Sequence, residues 1–488
     1  MNIDAINPIA MAVFLAFFAF VTILGFVASR WKRGDLTQLH EWGLGGRQFG
    51  GVITWFLVGG DFYTAYTVIA VPALVYSVGA YGFFALPYTI IVYPVVFAIM
   101  PKLWEVCHRK NHITAADFVQ GEHGGKWFPA AIAITGIIAT MPYIALQLIG
   151  MQVVIKGLGV SGELPLIIAF LVLAFYTYSS GLRAPAMIAF VKDIMIYIVV
   201  IAAVWIIPEK LGGYGSVFDA ADSYFTAKGG VTGILLKPTQ FTAFASLALG
   251  SALAAFMYPH TLTGILSSKS AKTIKMNAVF LPAYTVLLGL IALLGYMAIA
   301  AGVQASPASD VVPTLFNKIF PAWFVGFAAA AIAISALVPA AIMSIGAANL
   351  FTRNLWRPLV NPNITDEQES KNAKIVSLFV KLGALSFIIF LPTQFAIDLQ
   401  LLGGVWILQI FPAVVFSLYT KRLSTVPLFF GWVTGIVLGT SLAFIQNLKP
   451  VYTLHFGDFA LPLYIGLIAF AANIVVTVIF TVILPKKK

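Results

Sequence analysis

Apolar runs of roughly 20 residues recur from end to end of this 488-residue chain, each long enough to cross the ~30 Å hydrocarbon core of a bilayer as a helix. Inside a membrane the backbone must satisfy its own hydrogen bonds, so a chain built of such runs folds as a bundle of spanning helices. Charged residues make up 10% of the chain, where a soluble domain carries about a quarter, and 60% of residues are hydrophobic. The expected fold class is an all-α integral membrane protein without a separate soluble domain.

Spans are expected near 8–29, 51–77, 81–100, 129–155, 164–181, 186–207, 239–264, 277–302, 322–350, 375–396, 399–419, 425–446 and 461–484, about thirteen helices. The formal charge of +11 does not imply a nucleic-acid partner, because the Lys and Arg residues sit in short connections between apolar runs. Summed on alternate sides, about 21 of them fall in the loops holding Arg30, Lys102, Lys269, Arg353, Lys421 and Lys486 to Lys488, against about 6 opposite. That asymmetry places the N-terminus outside and the C-terminus in the cytoplasm, in the inner or plasma membrane. The first apolar run lacks a basic flank and a small-residue cleavage site, so it is expected to be retained.

Few residues here point to metal or redox chemistry. The single cysteine, Cys107, falls in an expected polar connection and rules out a disulfide within the chain. His108, His112 and His123 have loosely metal-like spacing, which a charged cytoplasmic loop explains more simply. The sequon Asn363-Ile364-Thr365 falls on the expected cytoplasmic side, out of reach of glycosylation.

The long external connection at 208–238, rich in Gly, Asp and Tyr, divides the helices into two sets of five. The expected divisions are 1–50, a flanking helix and cytoplasmic loop; 51–207, a first repeat; 208–238, the external loop; 239–420, a second repeat; and 421–488, two flanking helices. An odd number of helices per set gives the sets opposite orientations, the layout of an inverted repeat. In such layouts the binding site lies where a helix is interrupted at the same place in each half. The first half opens with Val58-Gly59-Gly60-Asp61-Phe62, and the second with Tyr258-Pro259-His260-Thr261, where Pro259 removes a backbone donor. Freed carbonyls bind cations, and amides at the start of a half-helix bind anionic groups.

Asp61 is the most telling residue, since a carboxylate deep in a span costs several kcal/mol unless a partner or ion receives it. Its bland alternative is a cap on the second half-helix. Lys192 and Asp193 also fall within a span; adjacent residues point about 100° apart on a helix, so a loose pair is expected, with Lys192 snorkelling. Lys381 is expected to snorkel. His260 is suited to bind a carboxylate or shuttle a proton, or else packs. Tyr63, Thr64, Gln147, Tyr258 and Gln409 are polar groups on core helices that either line a cavity or hold helices together, and Trp406 is either a packing aromatic or a substrate platform.

The chain resembles the sodium:solute symporters over nearly its whole length. The likeness rests on Leu44-Gly45-Gly46-Arg47-Gln48-Phe49-Gly50, Thr114-Ala115-Ala116-Asp117-Phe118, Ser267-Ser268-Lys269-Ser270 and Ala347-Ala348-Asn349-Leu350-Phe351-Thr352. It implies a LeuT-like five-plus-five inverted repeat with flanking helices and a broken first helix in each repeat. The stretches Gly181-Leu182-Arg183-Ala184-Pro185 and Asp398-Leu399-Gln400-Leu401-Leu402-Gly403-Gly404-Val405-Trp406 are most similar to the bacterial branch that takes up lactate, pyruvate and acetate.

The resemblance further implies a sodium ion held by carbonyls at Gly59 and Phe62 and by hydroxyls on the eighth core helix. Those hydroxyl positions fall on Val338 and Pro339, which have none, leaving Ser335 as a third ligand position. Asp193 matches the family's acidic residue on the fifth core helix, while Lys192 replaces a threonine. Its ammonium would suit the weakened cation site, which opens coupling to protons as an alternative to sodium.

The function expected is an ion-coupled symporter importing a small monocarboxylate by alternating access, with the bilayer, the solute and a coupling cation as partners and no other cofactor. A symporter for proline, alanine or a sugar is the alternative, and a channel or a sensor built on a transporter frame stand behind it. No zinc-binding helix, nucleophile elbow, phosphate-binding loop or protease-type aspartate pair points to an enzyme.

Overall fold

A computed structural model of the chain describes residues 6–28, 34–61, 63–160, 181–229, 234–390 and 397–484, and between 161 and 180 only Leu164, Ile167, Ile168, Phe170, Leu171, Ala174, Phe175 and Tyr178. Among the described residues ten helices are long and apolar enough to cross a membrane, or eleven if a bent pair is counted as one span. The expectation of about thirteen differs at two places. Tyr66–Arg109 counts as one stretch of 44 residues, although Gly79 turns the chain within it at a φ of 70°. The expected span 164–181 falls mostly outside the described residues.

The helices used below are α1 (Pro8–Ala28), α2 (Leu39–Leu44), α3 (Gly51–Gly60), α4 (Val71–Val78), α5 (Ala85–Arg109), α6 (Ala115–His123), α7 (Trp127–Gly157), α8 (Arg183–Lys210) and α9 (Tyr214–Ala227) in the first half. In the second half they are α10 (Phe241–Ala255), α11 (Pro259–Leu266), α12 (Ala271–Phe280), α13 (Pro282–Ala292), α14 (Leu294–Ala300), α15 (Val311–Ile319), α16 (Ala322–Phe351), α17 (Asp366–Phe390), α18 (Ile397–Ile407), α19 (Thr425–Ile445) and α20 (Ile465–Ile483). An antiparallel hairpin, β1 (Val451–Phe456) with β2 (Phe459–Tyr464), joins the last two and pairs Val451 with Tyr464. At the centre lie α7 and α16. Their seam is lined by Ala and Gly, including Gly150 and Ala336, and small residues let spanning helices approach closely where lipid offers no hydrophobic driving force.

Both expected breaks are present. The first helix stops at Gly60, and the chain resumes as a π-type turn over Tyr66–Ala70 before α4. The restart is held by side chains: Gln147 Oε1 accepts the Ala65 N–H at 3.0 Å, and Thr64 Oγ1 accepts the Tyr66 N–H at 3.0 Å. In the second half α10 ends at Ala255 and α11 begins at Pro259, with a bend of 49° between them. Proline suits that first helical position because its missing N–H would have no partner there.

Two of the quoted motifs meet at one end of the bundle. Phe49 forms a parallel bridge with Ser268, with Phe49 N–H donating to Ser267 O at 3.2 Å and Lys269 N–H to Phe49 O at 2.9 Å. Thr114 caps α6 by accepting the Asp117 N–H at 2.9 Å. Asp117 accepts from Ile113 N–H at 2.9 Å and from Asn354 Nδ2 at 2.7 Å, which ties α6 to the chain beyond α16.

The structure corrects several local expectations. Cys107 is buried on α5, which runs on to Arg109 rather than ending in a polar connection. The 208–238 connection contains the helix α9, which buries Val217 and Ala221 at a four-residue spacing. Lys381 does not snorkel: it is wholly buried where α17 packs against α7 and α16, and its Nζ donates to Ser377 O at 2.8 Å. Hydropathy fixes the depth of a residue in a span but not the face it occupies.

Candidate ion and substrate site

The two breaks meet. Asp61, which follows the last turn of α3, is contacted on Oδ2 by Thr261 Oγ1 at 3.1 Å and by His260 Nε2 at 3.4 Å, both from the first turn of α11. The other carboxylate oxygen, Oδ1, is buried without a hydrogen-bond partner, and so is Nδ1 of His260. A buried polar atom without a partner is costly, so a cluster of them marks a place where something else is received. These residues border a narrow cavity lined by Asp61, Tyr88, Tyr143, Ala255, Tyr258, His260, Thr261 and Gln400. Gln400 adds a third unpartnered atom, Oε1.

The cavity walls are aromatic. The Tyr143 and Tyr258 rings lie 5.3 and 5.2 Å from the His260 imidazole, and Tyr258 is fixed by its hydroxyl donating to Gln400 O at 2.9 Å. A cavity of this character, mostly apolar with a few convergent polar groups, is typical of small-ligand sites. On the far side of Pro259 lies a second narrow cavity, bordered by Thr114, Gly136, Thr263, Gly346 and Leu350 among others. The first turn of α11 therefore separates two spaces.

A second cluster lies behind the first break. Lys192 and Asp193 are both wholly buried, and Lys192 Nζ lies 3.0 Å from Asp193 Oδ1. The expected loose pair is thus a close ion pair, because the long lysine side chain curls back past the 100° offset of its backbone position. Nζ also donates to the carbonyls of Gly60 at 2.5 Å and Tyr63 at 3.1 Å. Asp193 Oδ2 accepts from the Tyr284 hydroxyl at 2.8 Å, and Tyr63 donates its hydroxyl to Tyr284 O at 3.1 Å. The two glycines make this approach possible. A Cβ on Gly59 would sit 2.3 Å from the Tyr284 ring, and one on Gly60 would sit 2.9 Å from Asp193 Oδ2.

The sequence-derived candidates divide accordingly. Asp61, Tyr258 and His260 line the cavity. Tyr63, Lys192, Asp193 and the two glycines form the cluster behind it. Thr64 and Gln147 hold the restarted helix rather than the cavity wall. Trp406 Nε1 donates to Thr440 at 3.1 Å, and Gln409 is bound to Val405 O and to Asn473, so both join α18 to the flanking helices instead of lining the cavity. Phe62 lies outside the described residues. Ser335 is buried on α16 with its Oγ unpartnered and makes no hydrogen bond to Asp61, Lys192 or Asp193. Val338 and Pro339 are buried on the same helix and add no side-chain oxygen. Among the described residues no group of three metal-ligating side chains is present.

Sequence reasoning missed Tyr88, Tyr143, Thr261 and Gln400 as cavity residues. Thr261 and Gln400 both stand in segments singled out by sequence, beside the Pro259 break and within the 398–406 run, so a signal existed for them. The tyrosines sit in long apolar runs where an aromatic reads as packing.

The comparisons with known proteins come from three directions. The family model for the sodium:solute symporter family matches residues 42–435. The chain is 63% identical over 483 residues to a monocarboxylate transport permease protein of Rhizobium johnstonii, covering 99% of this chain and 98% of that one. It is 33% identical over 471 residues to YodF, an uncharacterized symporter of Bacillus subtilis, covering 96% and 92%. Among solved structures it matches the substrate-bound, outward-open form of a Na+-coupled sialic acid symporter with a TM-score of 0.79 over 99% of both chains, at 14% identity, a likeness of fold. The architecture is accordingly the LeuT-like one, with the first helix of each half broken.

Proposed function

This chain is an integral membrane symporter that belongs to the sodium:solute symporter family, and from that premise we propose that it imports small monocarboxylates of the lactate, pyruvate and acetate type. The observation that carries the reading is the cavity where Asp61 meets His260, because it offers complements to both an anion and a cation. His260 and the start of α11 suit a carboxylate. The unpartnered Oδ1 of Asp61 suits a cation. The printed function of the Rhizobium johnstonii relative supports the carboxylate assignment.

Coupling follows from charge. A substrate carboxylate entering beside an ionised Asp61 is repelled, and a cation on Asp61 neutralises it and removes that repulsion. Like unit charges about 4 Å apart repel by about 4 kcal/mol at an effective dielectric of about 20, enough to make binding of the two strongly interdependent. Sodium requires several oxygens, and Asp61 Oδ1 and Gln400 Oε1 are the unpartnered side-chain oxygens at the cavity among the described residues. A proton requires one, so the proton is the coupling ion we assign. Alternating access would open the cavity first to the outside and then past Pro259 toward Thr114, with the N-terminus outside and the C-terminus cytoplasmic, as the distribution of Lys and Arg suggests.

Purified protein in proteoliposomes, given a panel of radiolabelled lactate, pyruvate, acetate, alanine, proline and glucose, tests the assignment. Saturable uptake and counterflow of the three acids are expected. Preference for proline or glucose over every acid would overturn it, and single-channel currents in place of counterflow would support a channel.

A further inference from the structure

Among the described residues Asp61 and Asp193 lie on either side of the first break, yet only Asp61 faces the cavity. Asp193 is enclosed by Lys192 at 3.0 Å and by the Tyr284 hydroxyl at 2.8 Å. Lys192 Nζ meets the carbonyls of Gly60 and Tyr63 at 2.5 and 3.1 Å. Two backbone carbonyls from an interrupted helix and one carboxylate oxygen around a single positive centre are the donor set a hard cation takes. Here the centre is an ammonium, which donates to the two carbonyls and forms an ion pair with the carboxylate. Gly60 is required at that point, since a Cβ there would lie 3.0 Å from Nζ.

We propose that Lys192 is a tethered cation that permanently fills the position behind the first break, between Gly60, Tyr63 and Asp193, so that no sodium ion binds there. The inference rests on reading the first break as the ion site of a symporter. A lysine tethered to the chain cannot leave on either side of the membrane, so no metal ion is carried across at Asp193. Asp61, whose Oδ1 has no partner, is left as the carboxylate that exchanges a cation. The residues present therefore do not fit sodium behind this break, because the chain supplies the positive charge itself.

The test measures binding of radioactive sodium to the full-length protein in lipid nanodiscs, with no organic solute present, so that its failure is separate from failure of the carboxylate assignment. Lys192→Ala is expected to bind one more sodium per chain than the parent, and Lys192→Ala combined with Asp193→Asn is expected to lose it again. Unchanged sodium binding in folded Lys192→Ala would overturn the proposal. Should that variant fail to fold, Asp193→Asn alone decides, because it keeps the ammonium on its carbonyls: sodium binding equal to the parent supports the proposal, and loss of a sodium that the parent binds refutes it.

Discussion

His260 Nε2 lies 3.4 Å from Asp61 Oδ2, which puts the residue that follows α3 in contact with the second residue of α11. A half-helix from each side of the bundle thus contributes one charged or chargeable group to one cavity, and a rigid movement of either half alters both. Asp61→Asn keeps the shape and the contact with Thr261 but removes the charge that receives the cation. Gradient-driven uptake is expected to fall by on the order of a hundredfold, matching the roughly 1.5–3 kcal/mol carried by a hydrogen bond to a charged group. Gel filtration and thermal unfolding should match the parent; full uptake by the variant would reduce Asp61 to a cap.

His260→Gln separates the imidazole from its contact with Asp61. Glutamine reaches the same region and can still donate to Asp61, but it lacks the ring and its unpartnered Nδ1. Half-saturation for lactate is expected to rise about tenfold, equivalent to about 1.4 kcal/mol, while the maximal rate changes less. An unchanged half-saturation would make His260 a packing residue against Tyr143 and Tyr258.

The identity of the driving ion is open to direct measurement. With the Asp193 site filled by Lys192 and few free oxygens at the cavity, uptake is expected to continue in sodium-free buffer and to accelerate under an inward proton gradient. The proton reading fails if uptake in sodium-free buffer ignores the pH gradient, or if it stops until sodium is restored.

The breaks were legible because Gly59, Gly60 and Pro259 are chemically unable to continue an ordinary spanning helix without consequence, and Asp61 and His260 were legible because polar groups at that depth are costly. The partners of Lys192 were not. Gly60 and Tyr63 lie about 130 positions away in the chain, and only packing of α3 against α8 brings their carbonyls to Nζ. Lys381 was misplaced for a related reason, since the same depth in the bilayer is compatible with a lipid-facing or a buried azimuth. Tyr88 and Tyr143 come from α5 and α7, and only the packing of those helices around the second break brings them to the cavity. The helix α9 was readable in principle from the spacing of Val217 and Ala221, but its Gly and Asp content masked it.

Close packing at the first break makes the last prediction a matter of shape rather than charge. A Cβ on Gly59 would stand 2.3 Å from Tyr284 Cε2. That ring cannot swing away freely, because its hydroxyl is bound to Asp193 and its face lies 4.6 Å from the Tyr63 ring. Gly59→Ala is therefore expected to lower stability by about 1–3 kcal/mol, the usual range for overpacking a tight core. Gly51, on the same helix, has nothing within 4 Å of the corresponding position, so Gly51→Ala should be neutral or raise stability by up to about 1 kcal/mol through helix propensity. Thermal unfolding in detergent, followed by tryptophan fluorescence, checks both. Combining Gly59→Ala with Tyr284→Ala removes the obstructing ring, and the pair should cost less than the sum of the single changes. Strict additivity would show that Tyr284 is not what excludes a side chain at Gly59.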